Sequence, residues 1–278
     1  MGITIGVDPV AFTIGGAAVR WYGIAMALGV SVLIGWAAWQ IRRGAKISFD
    51  TMLGAALVGI PSGIVFARLL HVIDQWELYR HSLSSVVGGE GLTVYGAILG
   101  AALGVWVYSR FVKMDYLYAA DIAAPGIILA QAIGRVGCLV NGCCFGELAT
   151  DLPWGVIYAH SGCYAGEFMH HPVHPTHAYE SIFLLALFGI IIAFRHKFKP
   201  DGAKFLFYMG TYGLWRIGIG YLRINDPFLL GLEQAQFIGL VSALICFPLM
   251  FYRYCMYRKE KTLKSGNAYP DEVQHGAV

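Results

Sequence analysis

Residues 118–147 read YAADIAAPGIILAQAIGRVGCLVNGCCFGE. The first two-thirds of this stretch is apolar enough for a membrane-crossing helix, which needs about 20 such residues to traverse the hydrocarbon core. It does not end on an ordinary charged interface. It runs instead into Arg135, Asn141 and three cysteines, Cys138, Cys143 and Cys144, before Glu147. A span that closes on such a cluster points to a helix bundle with a polar cavity at one face of the membrane.

The rest of the chain agrees. Of its 278 residues, 57% are hydrophobic and only 13% charged, about half the charge of a soluble globular protein. Seven stretches are predicted to span: 18–40, 52–72, 93–111, 118–136, 180–195, 204–222 and 234–252. The fifth is the shortest, and the fourth carries Asp121 and Gln131, so these two are the weakest by composition. Within the third, YGAILGAALG (95–104) presents small residues on a spaced stripe, the pattern of a close helix contact rather than a lipid-facing surface. MGITIGVDPV at the start has no positive region, so no cleavable signal peptide is expected. The predicted fold is an all-α membrane protein: a seven-helix transmembrane bundle with an elaborated outer loop, 137–179, between helices four and five. We expect one integral membrane domain over 1–278, with 253–278 as a basic, disordered tail.

Orientation follows from lysine and arginine. With the N-terminus outside, the inner connections hold Arg42, Arg43, Lys46, Arg110, Lys113, Arg195, Lys197, Lys199, Lys204, Arg253, Arg258, Lys259, Lys261 and Lys264, 14 of the 20 basic residues. This positive-inside bias predicts a periplasmic N-terminus and a cytoplasmic C-terminus. Of the remaining six, Arg20, Arg68, Arg135, Arg216 and Arg223 lie inside or at the outer end of an apolar stretch; Arg80 does not.

An arginine within a span costs roughly 2.5–3.5 kcal/mol on insertion scales and usually faces a partner or an aqueous cavity. Snorkelling to the interface accounts equally well for Arg20 and Arg223, but poorly for Arg216, deep in LFYMGTYGLWRIGIGYL (206–222). Structural pairing with Asp121, Glu180 or Asp226 is a second explanation. The third is an anion site, because the guanidinium fork grips phosphate bidentately and lipid headgroups supply phosphate at that depth.

GRVGCLVNGCCFG (134–146) resembles the signature Gly-Arg-x-Gly-Asn-Phe-x-Asn-x-Glu-x-x-Gly of the prolipoprotein diacylglyceryl transferase family, matching at Gly134, Arg135, Gly137, Asn141 and Gly146. FTIGGAAVRWYGIAMALG (12–29), HPTHAYES (174–181) and WRIGIGYLRIND (215–226) agree in order and spacing, so the resemblance runs from Phe12 to about Gln236. It implies a multi-pass enzyme of the bacterial inner membrane whose site faces the periplasmic leaflet. Such an enzyme transfers the diacylglyceryl group of phosphatidylglycerol to the thiol of the lipobox cysteine in a prolipoprotein signal peptide. Glycerol 1-phosphate leaves and a thioether forms, with no metal, soluble cofactor or nucleic acid involved. Arg135 and Arg216 match the arginines to which the family assigns headgroup binding and catalysis. Asn141, Arg20, Tyr22, His174, Tyr179, Glu180 and Arg223 complete the expected substrate-binding set.

The chain also departs from the family. The usual His-Gly-Gly reads Tyr95-Gly96-Ala97, which puts a tyrosine where a candidate base for the thiol stands. With an ordinary pKa near 10, Tyr95 is a poor base but can donate a hydrogen bond to a phosphate or glycerol oxygen. Cys138 and Cys143 replace the signature's Asn and Glu, His177 a glutamine, and Gly220 a glutamate; Glu147 is near enough in sequence to stand in for a lost carboxylate. A divergent relative acting on another lipid or thiol, and a non-enzymatic anion-binding or transport role, are the alternatives. Transport favours internal repeats or paired broken helices, and the sequence has neither.

Cys138, Cys143, Cys144 and Cys163 would lie in an oxidising compartment, where four cysteines allow three complete pairings. A zinc or copper site with His170, His171 and His174 is the rival, but C-x4-C-C matches no common zinc template. We expect the cysteines to staple the loop or to pack as small apolar residues. Pro175 fixes the start of the fifth helix and Thr176 is a candidate cap. Trp21, Tyr22 and Trp154 also suit interfacial anchoring.

Overall fold

Each of the seven apolar stretches falls on a helix of at least 18 residues. The structure, a computed structural model, describes residues 2–80, 93–161, 168–225 and 227–266. Its helices are α1 (Trp21–Arg42), α2 (Phe49–Asp74), the single turn α3 (Trp76–Tyr79), α4 (Val94–Phe111), α5 (Tyr116–Asn141), α6 (Thr176–Ala193), α7 (Ala203–Gly220) and α8 (Gln234–Gly266). Five are long and apolar enough to cross a membrane: α1, α2, α5, α6 and α8 through Leu263. The two stretches that looked weakest in sequence are thus among the five. The sixth, α7, is less apolar, with Lys204, Arg216 and its glycines lowering its hydropathy, whereas α4 is as apolar as α1 over its 18 residues.

The chain divides into two compact units, Ala37–Ile122 and the pair of segments Met1–Trp36 and Ala123–Val278. In the first unit α2 starts at Ser48, whose hydroxyl accepts the Thr51 N–H at 3.1 Å, an N-cap that satisfies one orphan donor. Its main contact is α4, along the predicted small-residue stripe. A Cβ on Gly96 would stand 2.5 Å from the Phe66 carbonyl oxygen, and one on Gly100 2.5 Å from that of Ser62. At that closeness the Ser62 hydroxyl reaches across to the Gly100 carbonyl, 2.9 Å away. Such approach is what joins helices in lipid, where apolar burial favours no partner over the bilayer.

In the second unit α5, α6 and α7 share a core of Ala124, Ile128, Ala132, Leu184, Leu187, Ile191 and Tyr208. Polar pins fix the helices: Ser181 Oγ donates to the Ala132 carbonyl at 2.7 Å and Tyr208 Oη to Gln131 Oε1 at 2.8 Å. α7 meets α8 at Gly213 and Gly239, where a Cβ on either would come within 2.5 Å of the other's carbonyl oxygen.

The molecule is not purely helical. β2 (Val10–Ile14) and β3 (Ala17–Arg20) form a hairpin turned by Gly15 and Gly16, both at positive φ, as two-residue hairpin loops require. β1 (Ile3–Ile5) pairs in parallel with β4 (Val156–Tyr158), which pairs antiparallel with β5 (Pro172–Val173). The described part of the segment between α5 and α6 is therefore folded, with the strand of residues 3–5 pairing onto it. Val156, Tyr158 and Val173 form its small core, with Ile5, Phe145, Phe168 and Met169 against them. β6 (Pro227–Leu229) and β7 (Leu232–Glu233) make a further hairpin before α8.

Two expectations change. The tail is not disordered from 253: α8 continues to Gly266, because RYCMYRKEKTLK is rich in strong helix formers and keeps the helix going past its apolar part. Residues 267–278 lie outside the described residues. Thr176 does not cap α6; its hydroxyl donates to the Cys144 carbonyl at 2.7 Å, and Pro175 occupies the cap position.

Candidate active site

The most deeply buried charge described is Glu180, in the second turn of α6, with no solvent exposure at all. A carboxylate without water must be paired and hydrogen-bonded to remain ionised. Three groups from two other helices meet that need. Arg135 of α5 reaches Oε1 through Nη2 at 2.9 Å, and Arg216 of α7 reaches Oε2 through Nη1 at 3.5 Å. Tyr212, one turn before Arg216 on the same face of α7, donates its hydroxyl to Oε1 at 2.6 Å.

The arithmetic of charge decides what this cluster can do. Two arginines share one carboxylate, so the group carries one net positive charge. The arginine side chains keep 19% and 11% of their surface exposed, whereas Glu180 keeps none. Each guanidinium has five N–H donors, and Glu180 occupies only part of this set. What remains is a pair of preoriented cations able to grip an oxyanion. Of the two explanations set against each other in the sequence reading, pairing is present: Glu180 holds both guanidinium groups.

The end of α5 supports this cluster. Gly137 packs at the first turn of α1, its missing Cβ falling 2.6 Å from that of Ala25 and beside Tyr22. Asn141, the last residue of α5, is buried. Gly142 then turns the chain at φ 65°, and Cys144 follows at φ 61°. This reversal brings the sulfurs of Cys138, Cys143 and Cys144 within 4.8 Å of one another. All three are free thiols, as are Cys246 and Cys255. The expected disulfide staple is therefore absent among the described cysteines, and Cys163 lies outside the described residues. Hydrogen bonds from the Cys138 and Cys143 thiols, with Arg223 and Arg135 adding their charge, hold the Cys144 thiol well below its ordinary range. Its thiol neighbours and burial push Cys143 the other way.

Backbone lacing joins three segments at this end. Gly146 donates to the His174 carbonyl and His174 to that of Glu147, both at 2.9 Å, while Glu147 donates to the Leu222 carbonyl at 2.9 Å. Gly146 and Arg223 form a β-bridge. The sharp approach demands glycine at 146, where a Cβ would sit 2.1 Å from the Leu222 carbonyl oxygen. Two buried side-chain nitrogens here, His174 Nδ1 and Arg223 Nε, have no hydrogen-bond partner among the described residues. The His174 ring meets the Tyr179 ring edge-on, and Tyr179 Oη accepts the Trp154 indole N–H at 2.9 Å. His177 Nε2 lies 2.6 Å from Tyr158 Oη. Burial, with the nearby thiols, pushes the Tyr158 phenol up, so it stays a neutral hydrogen-bonding group.

Other expected residues lie elsewhere. Arg20 ends β3 rather than lying in a span, exposed on a surface cavity of about 330 Å³ with Asp8, His160 and Met169; the Gly15–Gly16 hairpin consumes the residues that looked like the start of α1. Tyr95 belongs to the other unit, on the first turn of α4. Glu147 does not replace the lost carboxylate: its side chain is exposed and only its backbone is used. At Gly220 the place of the family's glutamate is filled by Gln236, 2.5 Å from where a Cβ would stand. Gln236 accepts the Glu233 N–H and donates to the Ile217 carbonyl. Asp226 lies outside the described residues. Tyr212 is the residue sequence reading missed; its i, i+4 spacing to Arg216 was the available signal.

A family model described as prolipoprotein diacylglyceryl transferase matches residues 9–252. Relatives named phosphatidylglycerol-prolipoprotein diacylglyceryl transferase include one from Dehalococcoides mccartyi, 52% identical over 269 residues, covering 92% of this chain and 96% of the relative. Another, from Clostridioides difficile, is 34% identical over 239 residues, covering 85% and 92%. A third, from Clostridium botulinum, is 31% identical over 263 residues, covering 91% and 99%.

Proposed function

Because the chain belongs to the prolipoprotein diacylglyceryl transferase family, we propose that it moves the diacylglyceryl group of phosphatidylglycerol onto the lipobox cysteine thiol of a prolipoprotein. The observation that carries this reading is the buried Glu180 with Arg135 and Arg216 on its two oxygens. The lipid phosphate would dock on the outward faces of the two guanidinium groups. The substrate thiol, as thiolate, attacks the glycerol carbon; a carbon–sulfur bond forms as the carbon–oxygen bond to phosphate breaks. The electron pair goes to the phosphate oxygen, where charge grows in the transition state, so preoriented cations there lower the barrier. Glu180 keeps them oriented before the lipid arrives. Asn141, Tyr22, His174, Tyr179 and Arg223 would shape the headgroup cavity around them. Tyr95, at the position of the family's histidine, would donate a hydrogen bond rather than remove a proton.

The reading includes seven crossings with a periplasmic N-terminus, and the short strands support it by parity. β1 and β4 share a sheet, so they lie on one face of the membrane and an even number of crossings separates them. α1, α2 and α5 are three; α4 makes the fourth. Gly146 and Arg223 are bridged, so α6 needs α7 as a second crossing between them. On this count the segment between α5 and α6 would share a face with the N-terminus, opposite 14 of the 20 basic residues, which supports a periplasmic assignment of that face.

Purified protein in detergent, given phosphatidylglycerol and a lipobox peptide, is expected to release glycerol phosphate and yield a thioether-linked product. Release that proceeds equally with a cysteine-free peptide would refute transfer to the thiol. The same assay on Tyr95→Phe tests that side chain: turnover equal to that of the parent protein removes it from the chemistry.

A further inference from the structure

The three sulfurs at the end of α5 play no part in the proposed transfer, in which the reacting thiol is the substrate's. Their arrangement is nevertheless specific. Cys138 sits in the last turn of α5, and the Gly142 reversal returns Cys143 and Cys144 onto it. Each contributes one sulfur to a group in which all lie within 4.8 Å, and no histidine or carboxylate belongs to that group among the described residues. Cys138 and Cys143 are buried, while Cys144 is exposed and gives solution access.

We propose that Cys138, Cys143 and Cys144 form a three-coordinate thiolate site for a soft monovalent metal ion, copper(I). Three sulfurs without a fourth ligand do not complete the tetrahedron that structural zinc requires, whereas soft thiolates select copper(I). Binding would release the thiol protons to solvent, with no change of oxidation state. One monovalent ion with three thiolates leaves two negative charges, in an environment that two cations already make receptive: Arg223 and Arg135 both act on Cys144. The site would then compete for the charge of Arg135. A loaded triad opposes an incoming phosphate, so copper(I) is expected to inhibit transfer by acting on headgroup binding rather than by blocking the thiol acceptor.

The test uses the full chain in detergent under anaerobic, reducing conditions. Copper(I) is titrated against a chromophoric copper(I) chelator, and the bound metal is examined by X-ray absorption. We expect one copper per chain with three sulfur neighbours, and affinity weakened by about a hundredfold, as when a metal site loses a supporting group, in Cys143→Ser and Cys144→Ser. Cys246→Ser should bind as the parent does. Should Cys138→Ser fail to fold, the exposed Cys144→Ser carries the comparison. Copper that stays bound in the Cys143→Ser/Cys144→Ser double variant overturns the proposal. So does a two-sulfur or mixed sulfur–nitrogen shell, or zinc displacing copper at equal concentration.

Discussion

Between α2 and α4 the chain brings two backbones together by leaving side chains out: Gly96 and Gly100 lie so close to Phe66 and Ser62 that a methyl group would collide with a carbonyl oxygen. Among α5, α6 and α7 it does the reverse, inserting a carboxylate and two guanidinium groups where they are costly and letting them satisfy one another. The first solution is tight contact, and what it yields is a join. The second keeps two charged forks partly exposed on a rigid support. Helices that only need to adhere in lipid use small residues; the expensive contact appears where a charge has work to do.

The comparison breaks most visibly at Glu180. Glu180→Ala leaves two buried cations facing each other, and removal of one partner from a buried pair costs about 3–5 kcal/mol. We expect a large loss of thermal stability in detergent together with loss of transfer. Glu180→Gln, which keeps the shape and can still accept from Tyr212, should fold better than Glu180→Ala. If Glu180→Ala is as stable as the parent, the carboxylate is not what holds the arginines.

Arg135→Lys keeps the charge and removes the fork. Turnover should fall by about a hundredfold, roughly 2.7 kcal/mol of barrier, with a smaller effect on lipid affinity, because the grip tightens as charge develops. Near-normal turnover would show that a point charge suffices. Gly96→Ala probes the other region: overpacking should cost about 1–3 kcal/mol, seen as a lower melting temperature with turnover per folded molecule nearly unchanged. An equal fall in both would mean the α2–α4 join also serves the chemistry. Tyr212→Phe removes one hydrogen bond to a charged group, worth about 1.5–3 kcal/mol. It should lower turnover less than Arg135→Lys and leave the fold intact.

What was legible in the sequence was whatever is energetically out of place. Arg135 and Arg216 announced themselves because a charge in an apolar run needs a reason, and Glu180 was already named among their possible partners. The small-residue stripe of 95–104 was legible for the same reason, as an absence of bulk. Tyr212 was not, since a tyrosine within an apolar helix is unremarkable until its hydroxyl finds a carboxylate. The thiol triad was hidden because linear spacing does not reveal a reversal: positive φ at Gly142 and Cys144 makes neighbours of sulfurs five and six residues apart. Long-range pairing was equally invisible, with Ile3 opposite Val156 and nothing local to either strand naming the other. At the C-terminal end, polarity read as disorder, although the residues of 253–266 favour helix whether or not lipid surrounds them.

That pairing of Ile3 with Val156 has a consequence for biosynthesis. The two strands are about 150 residues apart, and a ribosome adding roughly 5–20 residues per second separates their emergence by roughly ten to thirty seconds. During that interval β1 has no partner, while the helices between the strands are delivered to the bilayer. The sheet can close only if those helices have inserted an even number of times. If α1, α2, α4 and α5 all cross, as proposed above, a chain in which α4 failed to insert would leave β1 and β4 on opposite sides of the membrane, with both edges open. On the proposed topology the three-residue strand would act as a late checkpoint on membrane insertion, completed only by a molecule that has threaded correctly.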